Sequence, residues 1–238
     1  MKNEIDICYL CGEKLNSDDI GRDHVPMRQI YATGIRKAHN LNNLLTLRTH
    51  TSCNRSYQDD EDYFVVTLAP LAIESYSGAA VLDDATNLSK RPQRRWLVHK
   101  VLGEFGKIIL PNGWVTKGFE GDRISRILWK VVRGLFFYET GRFLPENTPK
   151  FLRIFSDKSD FFQEPSPLFF RYIVSRPSKG QYPVVFDYKY NCFSVNDKPH
   201  LWLWGIMFWD TIICEMNFPD PESSVEECRK VFRNLNQN

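Results

Sequence analysis

Two pairs of metal-binding side chains at matched spacing constrain this chain more than any other feature. Cys8-Tyr-Leu-Cys11 is followed at once by Gly12, and His50-Thr-Ser-Cys53 repeats the two-residue gap further along. Each pair can bring two donors onto one ion, and the glycine allows the tight turn that such a knuckle needs. Four donors complete a tetrahedral site, so the spacing predicts a structural Zn2+ held by Cys8, Cys11, His50 and Cys53. A polar module of about 60 residues buries too little apolar surface to fold unaided, which gives the metal a physical reason to be there. A thioredoxin-like dithiol fits less well, because no βαβ pattern surrounds the Cys-x-x-Cys pair.

The remaining composition is that of an ordinary globular protein, with 238 residues, 42% hydrophobic and 25% charged. A net charge of +2 and a pI near 8.2 are too mild to announce nucleic-acid binding by charge alone. The N-terminal Met-Lys-Asn-Glu-Ile-Asp lacks the apolar stretch of a secretory signal. The longest apolar run, Leu201 to Trp209, falls well short of the roughly 20 residues that span a bilayer. A cytoplasmic protein with no membrane partner is therefore expected. In that reducing compartment Cys8, Cys11 and Cys53 bind metal, while Cys192, Cys214 and Cys228 stay free thiols, mostly in the core.

The pattern predicts an α+β chain in two parts, a module over 1–64 and an accessory domain over 65–238. The latter is helical over 65–145 and strand-rich and antiparallel over 150–218, with a C-terminal helix over 223–235 begun by Ser223 or Ser224. Asn54 to Leu71 reads as a helix that starts polar and becomes apolar. Arg94 to Phe105 reads as another, with Trp96, Leu97, Val101, Leu102 and Phe105 on one face. From Asp122 to Tyr138 the apolar positions 124, 127, 128, 131, 132, 135 and 136 follow helical spacing. The opposite face carries Arg123, Arg126, Lys130 and Arg133, read as a solvated stripe in preference to a phosphate contact. Strands are expected at Leu168 to Val174, at Val184 to Val195, and at Leu201 to Trp209, the last buried on both faces.

Asp23-His24-Val25-Pro26 lies between the knuckles, followed by Asn43-Leu44-Leu45-Thr46-Leu47, the second knuckle and Asn54. Over roughly residues 8 to 64 this order resembles the HNH nuclease family, in the form whose metal knuckles flank a ββα catalytic core. The segment Val131-Val132-Arg133-Gly134-Leu135-Phe136-Phe137, with Gly141-Arg142 and Leu144-Pro145, is similar to one that follows the HNH module in many bacterial proteins.

The resemblance implies an endonuclease that hydrolyses DNA phosphodiester bonds, with RNA as the alternative substrate. It makes His24 the general base, Asp23 and Asn54 the ligands of Mg2+ or another divalent cation, and Asn43 a support for the loop presenting His24. The roles suit the side chains. An imidazole of ordinary pKa is largely neutral at pH 7, and carboxylate and amide oxygens are hard ligands. His50 stands where the commonest form has cysteine. It remains a competent zinc ligand, though a rival reading moves it to the catalytic site and leaves zinc with three protein ligands.

Helix spacing puts Glu61 near the face of Asn54, which makes it a further candidate metal ligand. For the run Asp59 to Asp62, complementing the helix dipole is the preferred reading. Lys90, Arg91, Arg94 and Arg95 form the densest basic cluster and are read as either a phosphate track or a solvated surface. His39, His99 and His200 are expected to be exposed or structural. Two other functions stand beside cleavage: a zinc-stapled nucleic-acid-binding module that does not cut, and an effector subunit controlled by a protein partner. That partner would dock on the aromatic C-terminal half, where Trp202, Trp204 and Trp209 serve as either core or interface. A host-defence or mobile-element role follows by analogy alone.

Overall fold

In the computed structural model, which describes residues 6–89, 95–109, 115–156 and 164–237, the chain enters through an antiparallel strand pair. β1 (Ile20–His24) and β2 (Thr46–His50) flank the short helix α1 (Thr33–Ala38), and β2 runs straight into α2 (Thr51–Arg55) and α3 (Gln58–Leu68). The single helix expected from Asn54 is thus two helices, and the first begins earlier. Ser56 Oγ donates to the Cys53 carbonyl at 2.8 Å, and the Tyr57 amide bonds back only three residues, to Asn54 at 3.1 Å. A hydroxyl that competes for a helical carbonyl loosens the ladder at this point.

Next come α4 (Tyr76–Ser89), α5 (Arg95–Gly103) and the strand pair β3 (Phe105–Ile109) and β4 (Val115–Lys117). Phe105 starts a strand instead of ending α5, Trp96 is 43% exposed, and Leu97 and Val101 are buried. Of the basic cluster, Lys90, Arg91 and Arg94 lie outside the described residues.

α6 (Gly121–Thr140) is the pillar of the structure. It stops at Gly141, whose φ of +72° is the left-handed C-cap that glycine adopts without strain. Every residue from 127 to 137 is buried, so the predicted solvated basic stripe is not one. The acids of α3 meet it: Asp60 takes Arg123 at 2.5 Å and also Arg126, whose guanidinium covers the Tyr57 ring at 4.0 Å. On its other side α6 packs edge-on against the sheet, through Trp129 on Phe218 and Phe136 on Trp202, both at 5.2 Å.

That sheet contains β5 (Phe151–Ser156), β6 (Phe186–Val195), β7 (Lys198–Phe208) and β8 (Ile212–Pro219), all antiparallel in the order β5-β8-β7-β6. β7 is buried on both faces, as expected. The strand predicted at Leu168 to Val174 is instead α7 (Pro167–Tyr172), because Ser166 caps it by accepting from the Phe169 amide and Pro167 sits at its first turn. α7 covers the outer face of β7 at Gly205, where an added Cβ would lie 2.7 Å from Ile173 and 2.8 Å from Phe169. α8 (Val225–Gln237) closes the chain, and Ser224 and Glu227 form a reciprocal capping box at its start.

Trp202, Trp204 and Trp209 are all buried, which settles them as core. Trp209 Nε1 donates to the Ile30 carbonyl at 2.9 Å, tying the sheet to the N-terminal segment. One apolar cluster runs from Cys8 and Tyr9 through α6 to Phe218, so the described residues up to 64 share a core with later elements. Among the described residues, no helix is long and apolar enough to cross a membrane.

α6 packs tightly on the N-terminal segment at Gly134, where an added Cβ would meet Val25 at 2.7 Å and Tyr9 at 3.2 Å. Ala would gain about 1 kcal/mol of helix propensity, but overpacking a stiff, buried β-branched neighbour costs about 1–3 kcal/mol. Gly134→Ala is expected to lower stability in urea denaturation. A variant more stable than wild type would show that this contact is loose.

Candidate metal centre and adjoining cleft

The first knuckle is a turn closed by Cys8 N–H to the Glu13 carbonyl and Gly12 N–H to the Cys8 carbonyl, both 2.8 Å, with Gly12 at φ +80°. The second follows from the junction of β2 and α2, which leaves His50 at the strand end and Cys53 in the first helical turn. Ligand atoms of Cys8, Cys11, His50 and Cys53 all lie within 4.8 Å of one another. His50 Nδ1 is 3.3 Å from Cys11 Sγ and 3.8 Å from Cys53 Sγ. Tetrahedral bonds of about 2.0–2.3 Å place such donors about 3.5–3.8 Å apart, so the four residues fit a zinc ion.

His50 Nε2 faces the Lys14 carbonyl at 3.2 Å. A carbonyl only accepts, so Nε2 carries the proton and the Nδ1 lone pair faces the sulfurs, the usual way a zinc histidine is oriented. Burial raises the Cys8 thiol, but the Thr49 hydroxyl at 3.0 Å and the amides of His50, Cys11 and Leu10 outweigh it and bring it to about 7. Burial and the neighbouring Cys8 push Cys53 up to about 12. A thiolate available near neutral pH is the form that captures metal.

Pairing in the hairpin sets Ile20 opposite His50 and His24 opposite Thr46. Four residues of strand, roughly 13 Å, therefore separate His50 from His24. The rival placement of His50 in the catalytic site is overturned: it completes the Cys3His cluster at the far end of the hairpin.

Alternation along β1 buries Asp23 and leaves His24 half-exposed. His24 lines a cleft of about 550 Å³ with Arg28, Gln29 and Arg36, and an adjoining cavity of about 580 Å³ that shares His24, Arg28 and Arg36 and adds Lys37. Burial and then Arg28 pull the imidazole below its usual pKa of 6.5 against the opposing charge of Asp23, which keeps it neutral at pH 7. Arg36 is aimed by bonds from Nε to the Tyr31 carbonyl at 3.0 Å and from Nη2 to Thr33 Oγ1 at 3.2 Å. Two guanidiniums beside a neutral imidazole make a place suited to an anionic oxygen. The backbone after His24 is held by Val25 N–H to the Leu45 carbonyl at 3.0 Å, while Asn43 is exposed.

Asp23 accepts from the Tyr9 hydroxyl and is paired by charge with Lys130 Nζ at 2.8 Å. The same ammonium lies 3.1 Å from Asn54 Oδ1 and bonds Glu61 Oε1. Gln29 Nε2 reaches the other Glu61 oxygen at 3.4 Å. Burial raises the Glu61 carboxyl against the pull of Lys130, and burial with Asp23 holds the Tyr9 phenol well above its usual range. The oxygens expected to share a cation do converge, and the donor set is chemically suited to a hard ion. The charge they hold here belongs to Lys130.

The acidic run of α3 is thus an ion-pair partner of α6, with Asp60 and Glu61 both engaged, more than a complement to its own helix dipole. His39 and His99 are exposed, and His200 is buried with Nδ1 2.8 Å from Ser223 Oγ. Sequence reasoning missed Tyr9, Arg28, Arg36 and Lys130 as site residues. One signal was available for Lys130: an acidic run at 59–62 and a basic stripe at 123–133 carry opposite charge.

Fold and site together define a mixed α+β protein with a Cys3His cluster that can hold a metal ion such as zinc. No protein-family model, curated protein or solved structure compared with this chain matches it.

Proposed function

We propose that the chain is a metal-dependent HNH-type endonuclease that hydrolyses DNA phosphodiester bonds, with RNA the alternative polymer. One observation carries this reading: His24, neutral and half-exposed, ends β1 of the hairpin whose far end carries the Cys3His cluster, and faces a cleft shared with Arg28 and Arg36. His24 takes a proton from the attacking water, a role that needs the unprotonated imidazole. Arg28 and Arg36 face the phosphate and stabilise the charge that grows on its oxygens. Asp23, Asn54 and Glu61 would hold a divalent cation, which supplies further charge neutralisation at the phosphate and the leaving oxygen.

The test is nicking of supercoiled plasmid in Mg2+ by wild type and His24→Ala. Loss of the base is expected to slow cleavage by about 100-fold or more. Equal cutting by the two proteins would overturn the assignment. Lys130 among the cation ligands favours a second reading, a nucleic-acid-binding module that does not cut. There Arg28→Ala and Arg36→Ala would weaken binding while no divalent metal elicits cleavage by the wild type.

A further inference from the structure

Asp23, Asn54 and Glu61 reach the same ammonium from three separate elements, β1, α2 and α3, while Lys130 comes from a fourth, α6. The ammonium donates to Asn54 and Glu61 and is paired by charge with Asp23 at 2.8 Å. Lys130 is 3% exposed and both carboxylates are buried, so the group is closed to solvent. The side chain is delivered by a helix pinned on either side of it, through Arg126 to Asp60 and through Arg133 to the carbonyls of Leu10 and Leu144. A divalent ion bound to Asp23 and Glu61 would sit against the lysine charge at contact distance. The two cations exclude each other.

Accepting the reading of Asp23 and Asn54 as cation ligands, we propose that Lys130 is a built-in competitor for the catalytic metal site. The free chain keeps its own ammonium on the carboxylates, and a divalent cation enters only when the Lys130 side chain withdraws. Because α6 is anchored on both sides, withdrawal is a rotation of the lysine stem and leaves the helix in place. A ligand that binds only a minor state loses affinity in proportion to that state's population, so a lysine-out population of about 1–10% weakens metal binding about 10- to 100-fold. Removing the charge leaves two buried carboxylates with no counter-ion, an arrangement that attracts a divalent cation.

The experiment is Mn2+ titration of the zinc-loaded full chain, followed by electron paramagnetic resonance, with zinc content and thermal melting measured alongside. Wild type is expected to bind weakly, and Lys130→Met to bind one Mn2+ per chain at least about tenfold more tightly. Lys130→Met/Asp23→Asn should lose that gain, and Lys130→Arg, which keeps the charge, should stay weak. Equal affinities in wild type and Lys130→Met would overturn the competition. If Lys130→Met does not fold, the wild type decides: tight Mn2+ binding that Asp23→Asn abolishes overturns the proposal, and weak binding supports it.

Tight wild-type binding together with His24-dependent plasmid cleavage would remove the competitor and keep the endonuclease. A gain in Lys130→Met without any His24-dependent cleavage would do the reverse.

Discussion

Cys53→Ala, or the wild-type chain stripped by a strong chelator, is expected to lose several kcal/mol of stability and to melt roughly 10–20 °C lower. A zinc ion on the four ligands would close the two knuckles onto each other, and apparent binding energies of about 10–16 kcal/mol in small zinc modules are comparable to the whole stability of a folded domain. The loss should spread beyond the knuckles. Cys8, Tyr9 and Leu10 belong to the apolar cluster that includes α6, and the Leu10 carbonyl is a hydrogen-bond acceptor for Arg133. Thermal denaturation with zinc content measured on the same samples is the check. A zinc-free Cys53→Ala chain that melts like wild type would show that the cluster is not structural. His50→Cys, which restores a four-cysteine donor set, should keep the metal where His50→Ala loses it.

Arg133→Met is expected to cost about 2–6 kcal/mol, although it conserves much of the buried volume. The guanidinium is fully buried on α6. It donates from Nε to the Leu144 carbonyl at 2.8 Å, to the Leu10 carbonyl, and from Nη1 to the Tyr57 hydroxyl at 3.4 Å. Removing it strands two buried carbonyls, each an unmade bond of about 1–3 kcal/mol. Arg133→Lys should recover only part of the loss, because a point charge cannot reproduce the planar fork that spans Leu10 and Leu144. Leu10 sits between Cys8 and Cys11 of the first knuckle, so Arg133→Met should also release zinc to a chelator faster than wild type. Urea midpoints and zinc-release rates measure both effects. A loss under about 1 kcal/mol would mean that water replaces the guanidinium at little cost.

Much of the candidate site was legible in residue order. The zinc ligands come as two local pairs, and local spacing survives any packing. Asp23, His24 and Asn54 were found by their order along the chain, and pairing of β1 with β2 then placed His24 away from the zinc. α6 and β7 were legible because long apolar patterns carry strong signals. Leu168 to Val174 misled, since a short apolar run reads equally as strand or helix and the Ser166-Pro167 start was the deciding local cue. The charged residues misled most. Arg123, Arg126, Lys130 and Arg133 looked like a solvated face because their partners lie on other elements, as with Glu61, 69 residues before Lys130.

By itself, the sequence determined which four side chains can chelate a metal ion such as zinc, because that depends on residue type and short-range spacing. Whether a charge meets water, a phosphate or another charge depends on what packs against it. Only the tertiary structure decided that residues 127–137 of α6 are buried, that His50 lies in the Cys3His cluster, and that Lys130 meets the oxygens of Asp23, Asn54 and Glu61. A buried charge must find a partner, and the partner is chosen by the packing of helices that the chain keeps far apart.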